Sequence, residues 1–352
     1  MFKRNEYIDY LKGIASIGII AIHTAFWSGQ SYTPEWFWNL TLLLDVPFFF
    51  YLSGWGGGQY SKKSIEKMLR SLGKIWIKWI YFISLVSLFC ILSYKLPWRF
   101  QGVTDFRDLI NNFFFNVSIP GFCVVGGSIW YLPHYFVVIF INTIIMCWIA
   151  QQENEKKLKK IYMLILGIVF LWICYGKYFF GLDMQYFLFY SFFWMLGLNG
   201  GGKTTKFREF FLAIAVAVIG TVFWSYLQNL PLHDLQSAKF PPTMKYGCAS
   251  MLVIIVVKYL EKYKNTYNKF LVHIGKNAIY YYFGQGIGSS LCYIWADKIQ
   301  LHNWFIKWVI IFGINVLTTV CVAEFLSISY KMIEKRINGV IKLIVKGKVN
   351  LK

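Results

Sequence analysis

Residues 9–27 read Asp-Tyr-Leu-Lys-Gly-Ile-Ala-Ser-Ile-Gly-Ile-Ile-Ala-Ile-His-Thr-Ala-Phe-Trp. After Lys12 only small hydroxyl residues and His23 interrupt the apolar run. Its length is close to the roughly 20 residues that cross a bilayer as a helix. No small-residue cleavage site separates it from the next apolar run, so it reads as a retained span rather than a secretory signal. Runs of this kind recur along the chain. Hydrophobic residues make up 57% of the 352 and charged residues 15%, against ~45–50% apolar in a soluble domain. A soluble protein this greasy would expose large apolar patches. Aromatics at 20% also exclude disorder and a coiled coil. The expected fold is all-α: a polytopic membrane helix bundle.

About ten transmembrane helices are expected, at approximately 10–27, 38–58, 76–94, 129–149, 161–180, 185–199, 209–228, 244–260, 272–295 and 305–330. Basic residues test this layout. With the N-terminus cytoplasmic, 25 of the 36 Lys and Arg fall in inner segments and eight in outer ones. That imbalance follows the positive-inside rule, and places both termini in the cytoplasm of a cell (plasma) membrane. The net charge of +20 is then explained by inner loops facing anionic lipid, with no nucleic-acid partner required. Residues 1–335 form one membrane domain, and 336–352 a basic cytoplasmic tail. The seven Cys show no CxxC spacing, so neither a metal site nor a disulfide framework is expected.

Ionisable groups within spans cost about 2.5–3.5 kcal/mol each and mark candidate sites. Lys12 and His23 are eleven residues apart. Eleven steps of ~100° make about three turns, so both project from one helix face, about 16 Å apart along the axis. Asp9 lies one turn before Lys12 on nearly the same face. Asp9 and Lys12 form either an interfacial ion pair or part of a site; His23 is either an interhelical hydrogen-bond partner or a base. Asp45 in the second span overlaps His23 in depth. There a carboxylate could hold the imidazole tautomer and stabilise its cation, or could pair with a buried Lys or cap a helix. Pro47 should kink that span, and Ser53-Gly54 should let another helix approach closely. Lys67 and Arg70 share a helical face with Lys74 on the inner side; they serve either topology or a polyanionic ligand.

These residues resemble the acyltransferase type 3 family of membrane O-acyltransferases. Arg4, Asp9, Lys12-Gly13-Ile14-Ala15 and His23 match the order and spacing of that family's opening motif. Phe49-Phe50-Tyr51-Leu52-Ser53-Gly54, the Lys67/Arg70 pair, Trp130-Tyr131-Leu132-Pro133 and Ile274-Gly275-Lys276-Asn277-Ala278 resemble its later elements. Lys12 and Lys67 stand where Arg is usual, which keeps the charge and loses the bidentate fork. Gln285 stands near the place of a late His found in many members.

The resemblance implies acyl transfer, most often of acetyl, from cytoplasmic acetyl-coenzyme A to a hydroxyl of an envelope glycan or lipid-linked sugar, in a bacterial membrane and without a metal. It implies that Arg4, Asp9, Lys12, Lys67 and Arg70 hold the coenzyme. His23 would act as general base beside Asp45, with Ser53 and Trp130 near the acceptor. A transporter or flippase of a lipid-linked sugar would use the same intramembrane charges without chemistry. Against it, no internal repeat of the transporter kind is visible.

Overall fold

The computed structural model describes residues 5–57, 60–93, 102, 106–176, 182–200, 206–263 and 267–349. Among them the regular structure is helical, apart from one isolated bridge between Lys239 and Pro242. In lipid this is expected, because a helix satisfies its backbone polar groups within its own segment. The helices are α1 (Glu6–His23), α2 (Glu35–Thr41), α3 (Val46–Trp55), α4 (Lys62–Ser93), α5 (Phe106–Phe113), α6 (Cys123–Ser128) and α7 (Tyr131–Ile149). There follow α8 (Glu155–Gly176), α9 (Leu182–Gly200), α10 (Phe207–Leu227), α11 (Met244–Leu260), α12 (Lys269–Lys276), α13 (Ala278–Lys298) and α14 (Trp304–Val349).

The described parts of the expected apolar runs fall mostly on helices. Six segments are long and apolar enough to cross a membrane by length and composition: 6–28, 35–55, 63–93, 120–149, 207–227 and 304–337. The expected domain boundary at 335/336 falls inside α14, which continues to Val349.

Two runs expected to be continuous are broken. The second divides into α2, a 3-10 turn over Leu42–Leu44, an extended Asp45 (φ −112°, ψ −165°) and α3. Pro47 occupies the first turn of α3. There its missing N–H costs nothing and its ring starts a new helix instead of kinking an old one. The run over 272–295 divides at Asn277 (φ −111°, ψ 18°) into α12 and α13. The first run also changes character. α1 begins at an Asn5 cap, whose side chain accepts the Tyr7 N–H at 3.0 Å. It ends at His23 and passes directly into a π-helical turn, Thr24–Ser28.

Small residues set the closest helix approaches. α1 crosses α12 with Gly13 against the Leu271 carbonyl and Gly275 against the Asp9 carbonyl. A methyl at either glycine would overlap backbone. α3 meets α9 in the same way, with Gly54 against the Trp194 carbonyl and Gly197 against Tyr51. These contacts fix two motifs that are distant in sequence, Lys12-Gly13 and Gly275-Lys276, beside each other. Among the described residues two large apolar cores result, beside two smaller clusters. One gathers Leu11, Phe50, Val138, Phe193 and Tyr246 from α1, α3, α7, α9 and α11. The other gathers Phe82, Val125, Leu132, Phe283 and Leu326 from α4, α6, α7, α13 and α14.

Candidate functional site

A cavity of about 400 Å³ is lined by residues of α1, α3, α4, α6, α7, α12 and α13. Lys12, Gly275 and Lys276 line one end, at the α1–α12 crossing, with Ser71 of α4 beside them. His23, Asp45, Ser128, Trp130 and Lys239 line the other. Between them Ile19, Phe49, Ile75, Leu132 and Ile279 make an apolar wall. Lys12 and His23 both belong to this one cavity, so the helical stripe expected from their spacing faces inward, over about 16 Å of helix rise.

The His23 ring is held from behind. Its Nδ1 is hydrogen-bonded to Oε1 of Gln285, a residue 1% exposed on α13. Gln285 Nε2 donates to Ser128 Oγ at 3.4 Å, and Ser289 Oγ donates to Gln285 Oε1 at 3.5 Å. With Gln285 Oε1 facing the ring as an acceptor, Nδ1 is the nitrogen that carries the proton, and Nε2 is the one not engaged by Gln285. Behind this pair lies a buried, uncharged network. Asn315 Nδ2 of α14 donates to Ser289 Oγ (3.0 Å) and to Thr24 Oγ1 (2.8 Å). Thr319 Oγ1 donates to Asn315 Oδ1 (3.2 Å). The network ties the π-helical turn after His23 to α13 and α14. A satisfied buried network of this kind limits the number of orientations its members can take.

Asp45 lies on the same cavity wall, but its carboxylate is engaged elsewhere. Its Oδ2 accepts from Lys239 Nζ at 2.6 Å and from Tyr246 Oη at 2.8 Å. Asp45 and Lys239 are 2% and 6% exposed. Two charges taken out of water at this depth are tolerable only when paired and further hydrogen-bonded. Tyr246 supplies that to the carboxylate, while the ammonium lies over the faces of Trp130 (5.3 Å) and Phe240 (4.9 Å). The expected pairing of Asp45 with the imidazole is thus replaced. Gln285 orients the ring, and Asp45 joins the break before α3 to the 228–243 loop. Of the two alternatives open for Asp45, the buried pair with a Lys is the one formed; the helix-capping one is not, since its side chain makes no capping bond to α3.

The other expected site residues divide. Ser53 lines the cavity within 3.4 Å of Tyr135 Oη, and Trp130 lines it beside Phe240 and Tyr186. Asp9 is buried at the α1–α12 crossing. Lys67 and Arg70 are exposed on the first turns of α4 and do not line the cavity; Arg70 pairs with Glu66 at 2.5 Å. Their face leads to Ser71 at the cavity mouth. Arg4 lies outside the described residues. No group of three metal-ligating side chains occurs among the described residues.

Sequence reasoning missed Lys239, Tyr246, Ser128 and Asn315. The polar letters at 285, 289 and 315 within apolar runs were the available signal for the network. Lys239 gave none, because a Lys in an outer loop is ordinary.

The His23 ring lines one end of a cavity whose other end holds two ammonium groups, so an imidazole that can take a proton and cations that suit an anionic molecule share one space. No curated protein and no solved structure matches the chain. The family model described as an acyltransferase domain matches residues 5–324, nearly the whole chain. The chain therefore belongs to the acyltransferase 3 family of membrane acyltransferases.

Proposed function

We propose that this protein transfers an acetyl group from cytoplasmic acetyl-coenzyme A to a hydroxyl of an envelope glycan or lipid-linked sugar, with His23 as the general base. The observation that carries the reading is the shared cavity: Lys12 and Lys276 at one end, the His23 ring at the other. The donor's chemistry fits that layout. Its phosphates suit ammonium groups, and its thin arm suits an apolar passage about 16 Å long that ends at the imidazole. Lys67 and Arg70 precede Ser71, the α4 residue on the cavity wall, and would meet the nucleotide end from outside.

His23 Nε2 accepts the hydroxyl proton as the acceptor oxygen attacks the thioester carbonyl. The C–O bond forms and the C–S bond breaks. The thiolate leaves with the proton that His23 returns. Gln285 keeps Nδ1 protonated throughout, so the ring cannot present the wrong nitrogen. Lys239 lines the same end of the cavity, with its charge balanced by Asp45 at 2.6 Å. Trp130, with Phe240 and Tyr186 around it, offers a flat apolar face suited to a sugar ring. The reading places the enzyme in a bacterial plasma membrane, with about ten crossings and both termini in the cytoplasm.

The test is transfer of labelled acetyl from acetyl-coenzyme A, in membranes carrying wild type or His23→Ala. Transfer is expected to disappear while insertion and expression persist. Retained transfer would remove the imidazole from the mechanism. Mass analysis of the surface glycan from a deletion strain then identifies the acceptor.

A further inference from the structure

A second cavity, of about 330 Å³, lies away from the first, between α9, α10 and α11. α10 packs on α11 and leaves a gap beside α9. The gap is walled by Leu196, Ala213, Val216, Met251 and Ile254, all apolar. Only two strongly polar groups enter it. Tyr51 of α3 is 1% exposed, and its hydroxyl has no hydrogen-bond partner. Lys258 stands at one end, with its ammonium 3.6 Å from where a Cβ on Gly200 would lie. No ion pair among the described residues includes Lys258. Its neighbour Val257 accepts the Tyr7 hydroxyl at 2.6 Å. Lys258 is therefore at the end of the bundle that holds the start of α1, where Lys206 and Arg208 also open α10.

We infer that this fissure holds one acyl chain of an anionic glycerophospholipid, with its phosphate on Lys258. The walls can shelter hydrocarbon and offer too few polar partners for water. A helix, about 10–12 Å across, is too wide for the space. The cation at the mouth, without a carboxylate of its own, selects an anionic headgroup over a neutral one. The Tyr51 hydroxyl, otherwise buried and unpaired, meets an ester carbonyl of the chain below that headgroup. The small residues Ala213, Ala217 and Gly200 keep the gap open. The inference is independent of the reaction at His23.

The test uses the full chain in detergent, with native mass spectrometry reading the retention of phosphatidylglycerol and of phosphatidylcholine with identical acyl chains. Wild type is expected to retain the anionic lipid several-fold more. Lys258→Gln should erase the preference, and Tyr51→Phe should weaken retention of the anionic lipid. Lys262→Gln, which removes an exposed charge at the same end, should leave the preference intact. Ala213→Trp, which fills the gap, should lower retention of both lipids. Equal retention of the two lipids by wild type would overturn the inference. So would a loss in Lys262→Gln as large as in Lys258→Gln, since binding would then be surface charge alone. Should Lys258→Gln fail to fold, Ala213→Trp decides: undiminished retention there sinks the site and leaves Lys258 as a cation facing the carboxyl end of α9.

Discussion

Gln285 turns a histidine that could point either nitrogen at the cavity into one with a fixed acceptor. With its carbonyl toward the ring, the amide places Nε2 3.4 Å from Ser128 Oγ and Oε1 3.5 Å from Ser289 Oγ. Gln285→Leu keeps the volume and removes the acceptor, leaving His23 Nδ1 and Ser128 without their partner. A buried group left unpaired in this way costs about 1–3 kcal/mol. On the proposed reaction we expect kcat to fall about 10–100-fold, with KM for acetyl-coenzyme A unchanged, because the Lys12–Lys276 end proposed for the coenzyme is not touched. An unchanged kcat would show that the ring needs no such guide. Gln285→Glu tests the same contact through pH. A carboxylate against Nδ1 would favour the imidazolium over the neutral ring. The base must be neutral to act, so the acid limb of the kcat profile should move to higher pH and activity near neutrality should drop. A limb that stays in place would argue that another group titrates there.

At the scale of elements, the two breaks in the chain matter more than its continuous helices. The break before α3 places the Asp45 carboxylate in the bundle, and the 228–243 loop returns to it with Lys239. Removing one partner of a buried pair leaves the other charged and alone, at about 3–5 kcal/mol. Asp45→Asn and Lys239→Met should therefore each lower the thermal midpoint in detergent. The double variant should recover much of the loss, and additive losses would mean that the pair is not coupled.

Glycine supplies a second contrast at this scale. Gly275 faces the Asp9 carbonyl with no room for a methyl, whereas Gly73 of α4 has nothing within 4 Å of its absent Cβ. Gly275→Ala should force α12 away from α1 and part Lys12 from Lys276, lowering both stability and coenzyme affinity. Gly73→Ala should be neutral or stabilise by about 0.5–1 kcal/mol, as alanine does in a helix interior. Thermal melts of the two variants side by side read the difference. A tolerant Gly275→Ala would mean that the crossing is looser than its contacts imply.

For the whole molecule, hydropathy made the helical, membrane-crossing character legible, because lipid imposes one rule on every span. It could not reveal the breaks at Asp45 and Asn277. At Asp45 the partners lie far along the chain, Tyr246 and Lys239, which no local window contains. The Lys12–His23 stripe was legible because one helix carries both residues. The identity of the ring's partner was not, since Gln285 comes from α13 and its role needs the α1–α13 packing.

The orientation of the bundle rests on charge: 25 of 36 basic residues fall on one side of the expected layout. Moving that many cations across a membrane is so unfavourable that the count should decide the direction of insertion. Alkaline phosphatase fused after Ser237, in the loop that carries Lys239, is therefore expected to be active, since that enzyme folds only outside the cytoplasm. A fusion after Lys159, in the basic turns that open α8, should be inactive. The reverse pattern would place His23 near the cytoplasmic face and bring the coenzyme to the wrong end of the cavity. Activity at both positions would mean that a run between 160 and 237 fails to cross. The 185–199 run is the first suspect, because its helix α9 is only 19 residues long.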